Sequence, residues 1–481
     1  MYEKVFDSID KALWKDDGVD TDLDYVQQTS WLLFLRWLDE IELTKQKSAK
    51  LNNQNYNQLL DREYRWSTWA VPKKKDGSKD FSSESFGPEI LEFINNELFP
   101  YLQKFKDNAK SINSTEYKIG EIFSNFRNGI EDGYILRDVI DLIDKLEFKT
   151  LEQKQALGDL FEYKLKNMGN AGRNGGQYYT PRPLIDEIIK VINPKIGETI
   201  YDGAAGSCGF LIRAFNHIKE SKKLSTSEFK KLQTSTLFGK ENKRIAYTLG
   251  VMNMILHEIE SPNLVRTDTL GINILEIQDK DRFDVILANP PFGGGETKQT
   301  QQNFPIKSSE ASYLFIQHFI KILKKGGRCG VVIKNTFLSN DDAKNLRKLL
   351  LSECNVHTIL DVPAGAFRAG VKTVVLFFEK GNPTKDIWYY QLNLGRNLGK
   401  TNPLNENDLA DFSKLVQKRE RSDNSWFVNI KDITNDTFDL TVNNPNRAEK
   451  LDNRTPAEII KEIEEIDIKA NQALKVIKEL L

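Results

Sequence analysis

Apolar positions in the first third of the chain recur at helical spacing. In DYVQQTSWLLFLRWLDEIE, Trp31, Phe34, Leu35 and Leu38 share one helical face, and Leu33 and Trp37 widen the stripe. β-Branched runs are scarce before residue 195, so residues 1–150 are expected to form a helical domain, broken by an exposed loop at VPKKKDGSKDFSSESFGPE. The texture then changes. Short aliphatic runs alternate with amphipathic segments: ETIYDGA, STLFGKE, NLVRTDTL, RFDVILANP, RCGVVIKN, HTILDVP and KTVVLFFEK. Seven strands separated by helices predict an α/β chain with a mostly parallel, doubly wound sheet over residues 151–385. Residues 386–452 are polar, rich in Asn and Asp, and are expected to form a small irregular subdomain. Residues 453–481 read as one helix. Thr455 as N-cap, Pro456 at the first position and Glu458 at the third make a capping box. Ile459, Ile463, Ile466, Ala470, Ala473, Ile477 and Leu480 then follow at alternating spacings of four and three, a coiled-coil-like seam. Such a seam packs either on its own domain or on a partner helix, and the pattern leaves both open.

Composition narrows the class. The 481 residues are 39% hydrophobic and 28% charged, an ordinary globular profile long enough for two or three domains. The 68 basic residues against 69 acidic ones leave a formal charge of −1, so no global electrostatic footprint for a polyanion exists. If the chain meets nucleic acid, the basic surface is local or belongs to a partner. Cys208, Cys329 and Cys354 show no metal spacing and suggest a reducing compartment. His217, His257, His318 and His357 are equally scattered and are expected to be structural or on the surface. No window approaches ~18 uninterrupted apolar residues, so membrane insertion is not expected.

Candidate chemistry gathers at the ends of the predicted strands, where doubly wound sheets bind ligands. The first strand leads into YDGAAGSCGFL, in which Gly203, Gly206 and Gly209 form a turn before a helix. Such a turn lets backbone approach a ligand, and the helix start offers free N–H groups. The spacing is G-x-x-G-x-x-G rather than the dinucleotide fingerprint, with Asp202 before it. Glu241 ends the second strand, placed for ribose hydroxyls, and Asp268 ends the third, placed for an adenine amino group. The fourth strand ends in Asn289, Pro290, Pro291 and Phe292. Prolines hold an extended turn with outward carbonyls. The Asn289 side-chain oxygen and the Pro290 carbonyl then grip the two N–H bonds of one amino group, and Phe292 gives a planar ring a face to stack on. A methyl sulfonium is an electrophile for which alignment and electrostatics suffice. As simple punctuation, the same string is only a loop between strand and helix. In GGQYYTPRPL, Thr180 either caps a helix begun by Pro181, or the string serves a cofactor covered by Tyr178 or Tyr179. Gly293 to Gly295 would let the loop close over a bound base.

Together these strings resemble the S-adenosylmethionine-dependent amino-methyltransferases, and more closely the modification (methyltransferase) subunits of type I restriction-modification systems. The resemblance spans LLFLRWLDE, GQYYTPR, DGAAGSCGFL, GKEN, ANPPFGG, AGVKTVVLFFEKG and the C-terminal helix. It implies a Rossmann-like methyltransferase sheet with helical N- and C-terminal additions, and transfer of a methyl group from S-adenosyl-L-methionine to adenine N6 in double-stranded DNA. It further implies cofactor contacts at Gln177, Tyr178, Tyr179, Thr180, Pro181 and Arg182, at Asp202, Ala204, Gly206, Ser207 and Cys208, and at Glu241 and Asp268. Asn289, Pro290, Pro291 and Phe292 would hold a flipped adenine. Where the family loop often reads D-P-A-C-G-[ST]-G-G-F, this chain has Gly203, Ala205 and Cys208. A specificity subunit that reads DNA, a restriction subunit that translocates and cleaves, two copies of this chain per complex and a bacterial cytoplasmic setting are implied as well. The C-terminal seam is then a docking helix for the specificity subunit. The competing expectations are the same chemistry on a protein glutamine or an RNA base, and an assembly subunit without turnover.

Overall fold

The computed structural model describes residues 2–72, 80, 87–146, 180–367, 370–399, 401–433 and 436–446, with 460, 461, 463–465, 467, 468 and 472. The helical N-terminal region contains Tyr2–Leu13, Asp22–Leu51, Thr115–Asn125 and Gly133–Asp144 among its helices. Thr21 starts the long helix by accepting from the Asp24 N–H, while the Asp24 carboxylate accepts from the Thr21 N–H. The stripe foreseen on this helix closes into a belt: Trp31, Leu32, Leu33, Phe34 and Leu35 are consecutive and all buried. An amphipathic stripe cannot do this. Neighbouring helices therefore surround this helix here, and the polar exits lie further along it.

The sheet has nine strands: β1 (Ile200–Asp202), β2 (Leu237–Glu241), β3 (Asn263–Arg266), β4 (Phe283–Ala288), β5 (Leu323–Lys334), β6 (Cys354–Val362), β7 (Thr373–Lys380), β8 (Asp386–Gln391) and β9 (Ser425–Asn429). Their order is β3-β2-β1-β4-β5-β7-β6-β8-β9. β3 through β5 and the β6–β8 pair are parallel, whereas β7 runs antiparallel to both its neighbours and β9 to β8. All seven expected strands are present, and the count of about seven is corrected to nine. The added pair comes from residues expected to be irregular. DIWYYQ and SWFVN are aromatic rather than β-branched, yet they alternate properly: Trp388 and Tyr390 enter one core, Ile387 and Tyr389 the other.

That alternation repeats across the sheet and separates two cores. Val285 and Leu287 of β4 face the core shared with the N-terminal helices, and Ile286 and Ala288 face the one under helix Ala311–Ile322. The chain begins at β1 in the middle, runs out to β3, then returns to place β4 on the other side of β1. Helices that go opposite ways from β1 and β4 leave a crevice at the carboxyl ends of these two strands. No helix among the described residues is long and apolar enough to cross a membrane. The capping box at Thr455 and every seam position except Ile463 lie outside the described residues; Ile463 is helical and exposed.

Candidate active site

The crevice between β1 and β4 opens into a cavity of about 650 Å³, lined by Gly203, Gly206, Glu241, Asp268, Asn289, Pro291, Gly293 and Glu296 among others. A nucleoside-sized ligand fits that volume. The first wall is the turn after β1. Asp202 is 1% exposed and accepts from the Ala204 N–H at 3.0 Å. Burial pushes its carboxyl up to about 8; the Ala204 N–H opposes this and nearby Glu241 adds to it. Gly206 takes a left-handed φ of 51°. Cys208 follows with φ 63°, fully buried, and burial raises its thiol well above the ordinary range, which suits an inert packing residue. At Gly209, the first residue of the next helix, a Cβ would stand 1.8 Å from the Arg182 guanidinium. Glycine here lets the flexible Arg182 side chain lie directly against the turn.

Glu241 closes the turn from the side. Its Oε2 accepts from the Gly206 N–H at 2.9 Å and its Oε1 from the Lys243 N–H at 2.8 Å. Each oxygen keeps a second lone pair, so an acid that orders the loop still has acceptors for hydroxyl groups. Burial raises its pKa, while the N–H groups of Lys243, Gly206 and Asn242 act in the opposite direction. Asp268 caps the short turn Thr269–Gly271 by accepting from the Leu270 N–H at 3.0 Å. Thr269 in turn donates from its hydroxyl to the Gly203 carbonyl at 2.6 Å, tying the third strand end to the first.

Opposite stands the turn after β4. Asn289 Nδ2 donates to Thr180 Oγ1 at 2.9 Å, and Asn289 Oδ1 is buried without a hydrogen-bond partner among the described residues. Pro290 is buried and Pro291 faces the cavity. The Phe292 ring stands edge-on to Phe367, with centroids 5.3 Å apart at 86°. Gly294 has φ 113°, a conformation that excludes side chains, and Gly295 forms a β-bridge to Glu310. Around Gly293, Gly294 and Gly295 the space is open.

Thr180, Arg182, Asp202, Ala204, Gly206, Ser207 and Asn289 line a smaller recess beside the main cavity. Pro181 is the N-cap of helix Arg182–Ile192, so the helix starts one residue later than expected and Thr180 does not cap it. Gln177, Tyr178 and Tyr179 lie outside the described residues. Sequence reasoning missed Asn242, Lys243, Thr269 and Phe315, which also face the cavity. The first three lie one or two residues after Glu241 or Asp268 and were within reach of the same positional rule; Phe315 arrives from a distant helix and carries no local signal. Asn253 was missed too. It is fully buried on helix Arg244–Leu256 and donates to the Ser207 carbonyl at 2.8 Å, and its polarity inside LGVMNMIL was the available clue. Of the histidines, His318 lies deepest, 3.0 Å from the Tyr201 hydroxyl, with burial pushing its pKa down to about 3.

The family model described as N-6 DNA Methylase matches residues 152–454, and that described as HsdM N-terminal domain matches residues 2–143. The chain is 34% identical over 467 residues to the type I restriction enzyme EcoEI methylase subunit of Escherichia coli, covering 93% of this chain and 91% of that one. It is 28% identical to the EcoKI methylase subunit of the same species, over 87% of this chain and 79% of the other. Among solved structures, a modification subunit from Vibrio vulnificus YJ016 superposes with a TM-score of 0.83 at 31% identity, over 93% of this chain and 97% of that one. A chain from a structure of complex assembly in the type I R-M system gives a TM-score of 0.77 at 32% identity, over 99% and 97% of the two chains.

Proposed function

We infer the function from one premise: the chain belongs to the N-6 DNA methylase family, and within it to the methylase subunits of type I restriction enzymes. It is a DNA methyltransferase. The finer reaction we propose is methylation of adenine N6 in double-stranded DNA, with S-adenosyl-L-methionine as the methyl donor. The family's description points to adenine N6, and one observation supports an amino group as the target: the buried Oδ1 of Asn289, without a hydrogen-bond partner among the described residues, whose Nδ2 is already held by Thr180. Leaving a buried acceptor unpaired costs about 1–3 kcal/mol, so this oxygen favours an incoming N–H donor. Beside it, the carbonyl of Pro290 is the second acceptor. Two acceptors on one exocyclic amine draw its lone pair out of conjugation with the ring, and the Phe292 face supports a base swung out of the duplex.

The cavity fits the cofactor in size and in donor chemistry. Glu241 would take the ribose hydroxyls, Asp268 the adenine amino group, and the turn Asp202 to Cys208 would follow the cofactor with its backbone. When bound, the cofactor supplies a methyl group on a positively charged sulfur. The chain's own contribution is to align the amine with that methyl and exclude water from the crevice.

A net charge of −1 supports a division of labour in which partner subunits supply DNA recognition and cleavage. We place the chain, in two copies, with a specificity subunit and a restriction subunit in the cytoplasm, where genomic DNA is reached. Protein glutamine, RNA and a silent scaffold are less favoured, because the relatives are methylase subunits of restriction enzymes. The test uses the chain assembled with its specificity subunit. Asn289→Ala should lower methyl transfer to duplex DNA by on the order of 100-fold or more while cofactor binding by calorimetry persists. Unchanged turnover would overturn the assignment.

A further inference from the structure

Thr180 sits at the start of the segment that leads into helix Arg182–Ile192, and Pro181 takes the capping position without any side-chain bond. The Thr180 hydroxyl is thus released from cap duty. It accepts instead from Asn289 Nδ2, across 109 positions of sequence. The residues that follow it are anchored. Proline holds its own φ and keeps Thr180 extended, and the Arg182 side chain is lodged over Gly209.

This bond matters because a carboxamide is nearly symmetric in shape and opposite in chemistry at its two ends. Turned one way, Asn289 offers an oxygen to the target amine. Turned the other way, it offers an NH₂ group, and two donors then face each other. The Pro290 carbonyl has no such ambiguity, so the grip on the amine is only as good as the orientation of Asn289. A hydroxyl both donates and accepts, so Thr180 Oγ1 does not by itself choose which end of the amide it holds; it fixes where the carboxamide lies, and with the nitrogen end held, Oδ1 is the buried atom without a partner among the described residues.

We propose that Thr180 is a positioning residue for methyl transfer: it anchors one end of the Asn289 carboxamide, so that the other end is held where the target amine arrives. The assignment rests on the adenine-N6 function given above. It predicts a rate effect, whereas a cofactor contact at Thr180 predicts an affinity effect.

The experiment uses the complex with the specificity subunit, duplex DNA carrying its site, and labelled S-adenosyl-L-methionine. Thr180→Val keeps the shape and removes the hydroxyl. It should slow single-turnover transfer at saturating cofactor roughly tenfold, in line with the loss of one orienting hydrogen bond, while cofactor Kd and DNA KM stay within about twofold. Thr180→Ser should restore the rate, and Thr180→Ala should match valine, which excludes a bulk effect. Weaker cofactor binding with an unchanged saturated rate would overturn the proposal, as would valine at full speed or failure of serine to rescue. Should the unsubstituted complex place its methyl group anywhere but adenine N6, the underlying function falls with it. Valine at full speed on an N6-methylating complex removes only the role of Thr180.

Discussion

Asp202 concentrates the electrostatics of the site in one side chain. Its carboxyl titrates near 8 in the folded chain against an ordinary 3.8, mainly because burial disfavours the charge. Between those two values the native state holds a proton that the unfolded chain has lost, so the contribution of Asp202 to stability falls as pH rises from about 4 to about 8. Asparagine mimics the protonated acid. Asp202→Asn should therefore keep the fold and remove that contribution; the remaining pH dependence comes from Glu241, Asp39 and Glu296, raised in the same sense, and from His318 and His357, whose lowered pKa acts in the opposite one. Melting temperatures of both proteins at pH 5 and pH 8 decide it; equal slopes would show that Asp202 is ionised in the native chain. Gly294 gives a second contrast. At φ 113° an alanine is strained, by about 1 kcal/mol or more, whereas Gly293 and Gly295 lack that torsion and have open space around them. Gly294→Ala should lower the melting temperature more than alanine at either neighbour. At this scale Asp202, Glu241, Asp268 and Asn289 were legible in sequence because each lies at the end of a strand or within two residues beyond it, and strand ends follow a positional rule. The partnership of Thr180 with Asn289 was not, since nothing local to either residue encodes a contact 109 positions away.

The element that holds the turn after β1 in place is helix Arg244–Leu256. Gly250 lets it come close: a Cβ there would stand 2.7 Å from the Gly206 carbonyl oxygen and 2.9 Å from Cys208 Sγ. Asn253, one turn on, donates to the Ser207 carbonyl. A methyl group at Gly250 has no flexible side chain to displace, only the turn itself. Gly250→Ala should push the turn from its position and weaken S-adenosyl-L-methionine binding roughly tenfold, the equivalent of about 1.4 kcal/mol, with helicity by circular dichroism retained. Undiminished affinity in calorimetry would mean that the turn is plastic. Elements were read well where the pattern was strong: all seven short aliphatic runs became strands. β8 and β9 escaped because their signal is aromatic and sits in a polar, Asn-rich surround; they add to a sheet edge already built, so tertiary pairing with β6 supplies what local propensity lacks.

For the whole molecule, the N-terminal helices and the sheet share a core that runs from Phe6 to Val416, so the two regions are energetically joined. A buried polar knot sits on the seam. Lys118 Nζ, on helix Thr115–Asn125, donates to the Tyr247 hydroxyl at 3.0 Å and to the Leu264 carbonyl at 2.9 Å, and lies 3.6 Å from Glu121. Tyr247 in turn donates to the Glu121 carboxylate. Burial pushes the lysine's pKa down while Glu121 pulls it back up, and burial with the Glu121 contact raises that of Tyr247. Tyr247 lies on the helix that backs the turn after β1, so this knot connects the N-terminal region to the crevice by packed elements alone. A buried pair of this kind adds little over an apolar replacement, but breaking it strands a charge at a cost of about 3–5 kcal/mol. Glu121→Leu alone should therefore lower the denaturation midpoint strongly. Adding Lys118→Met should recover most of the loss, because no ion is then left unpaired. A double-mutant cycle in urea that found the two losses simply additive would mean that the pair is solvated or uncoupled. With strong coupling, Glu121→Leu should also weaken S-adenosyl-L-methionine binding, although Glu121 does not line the cavity, and the double variant should regain it.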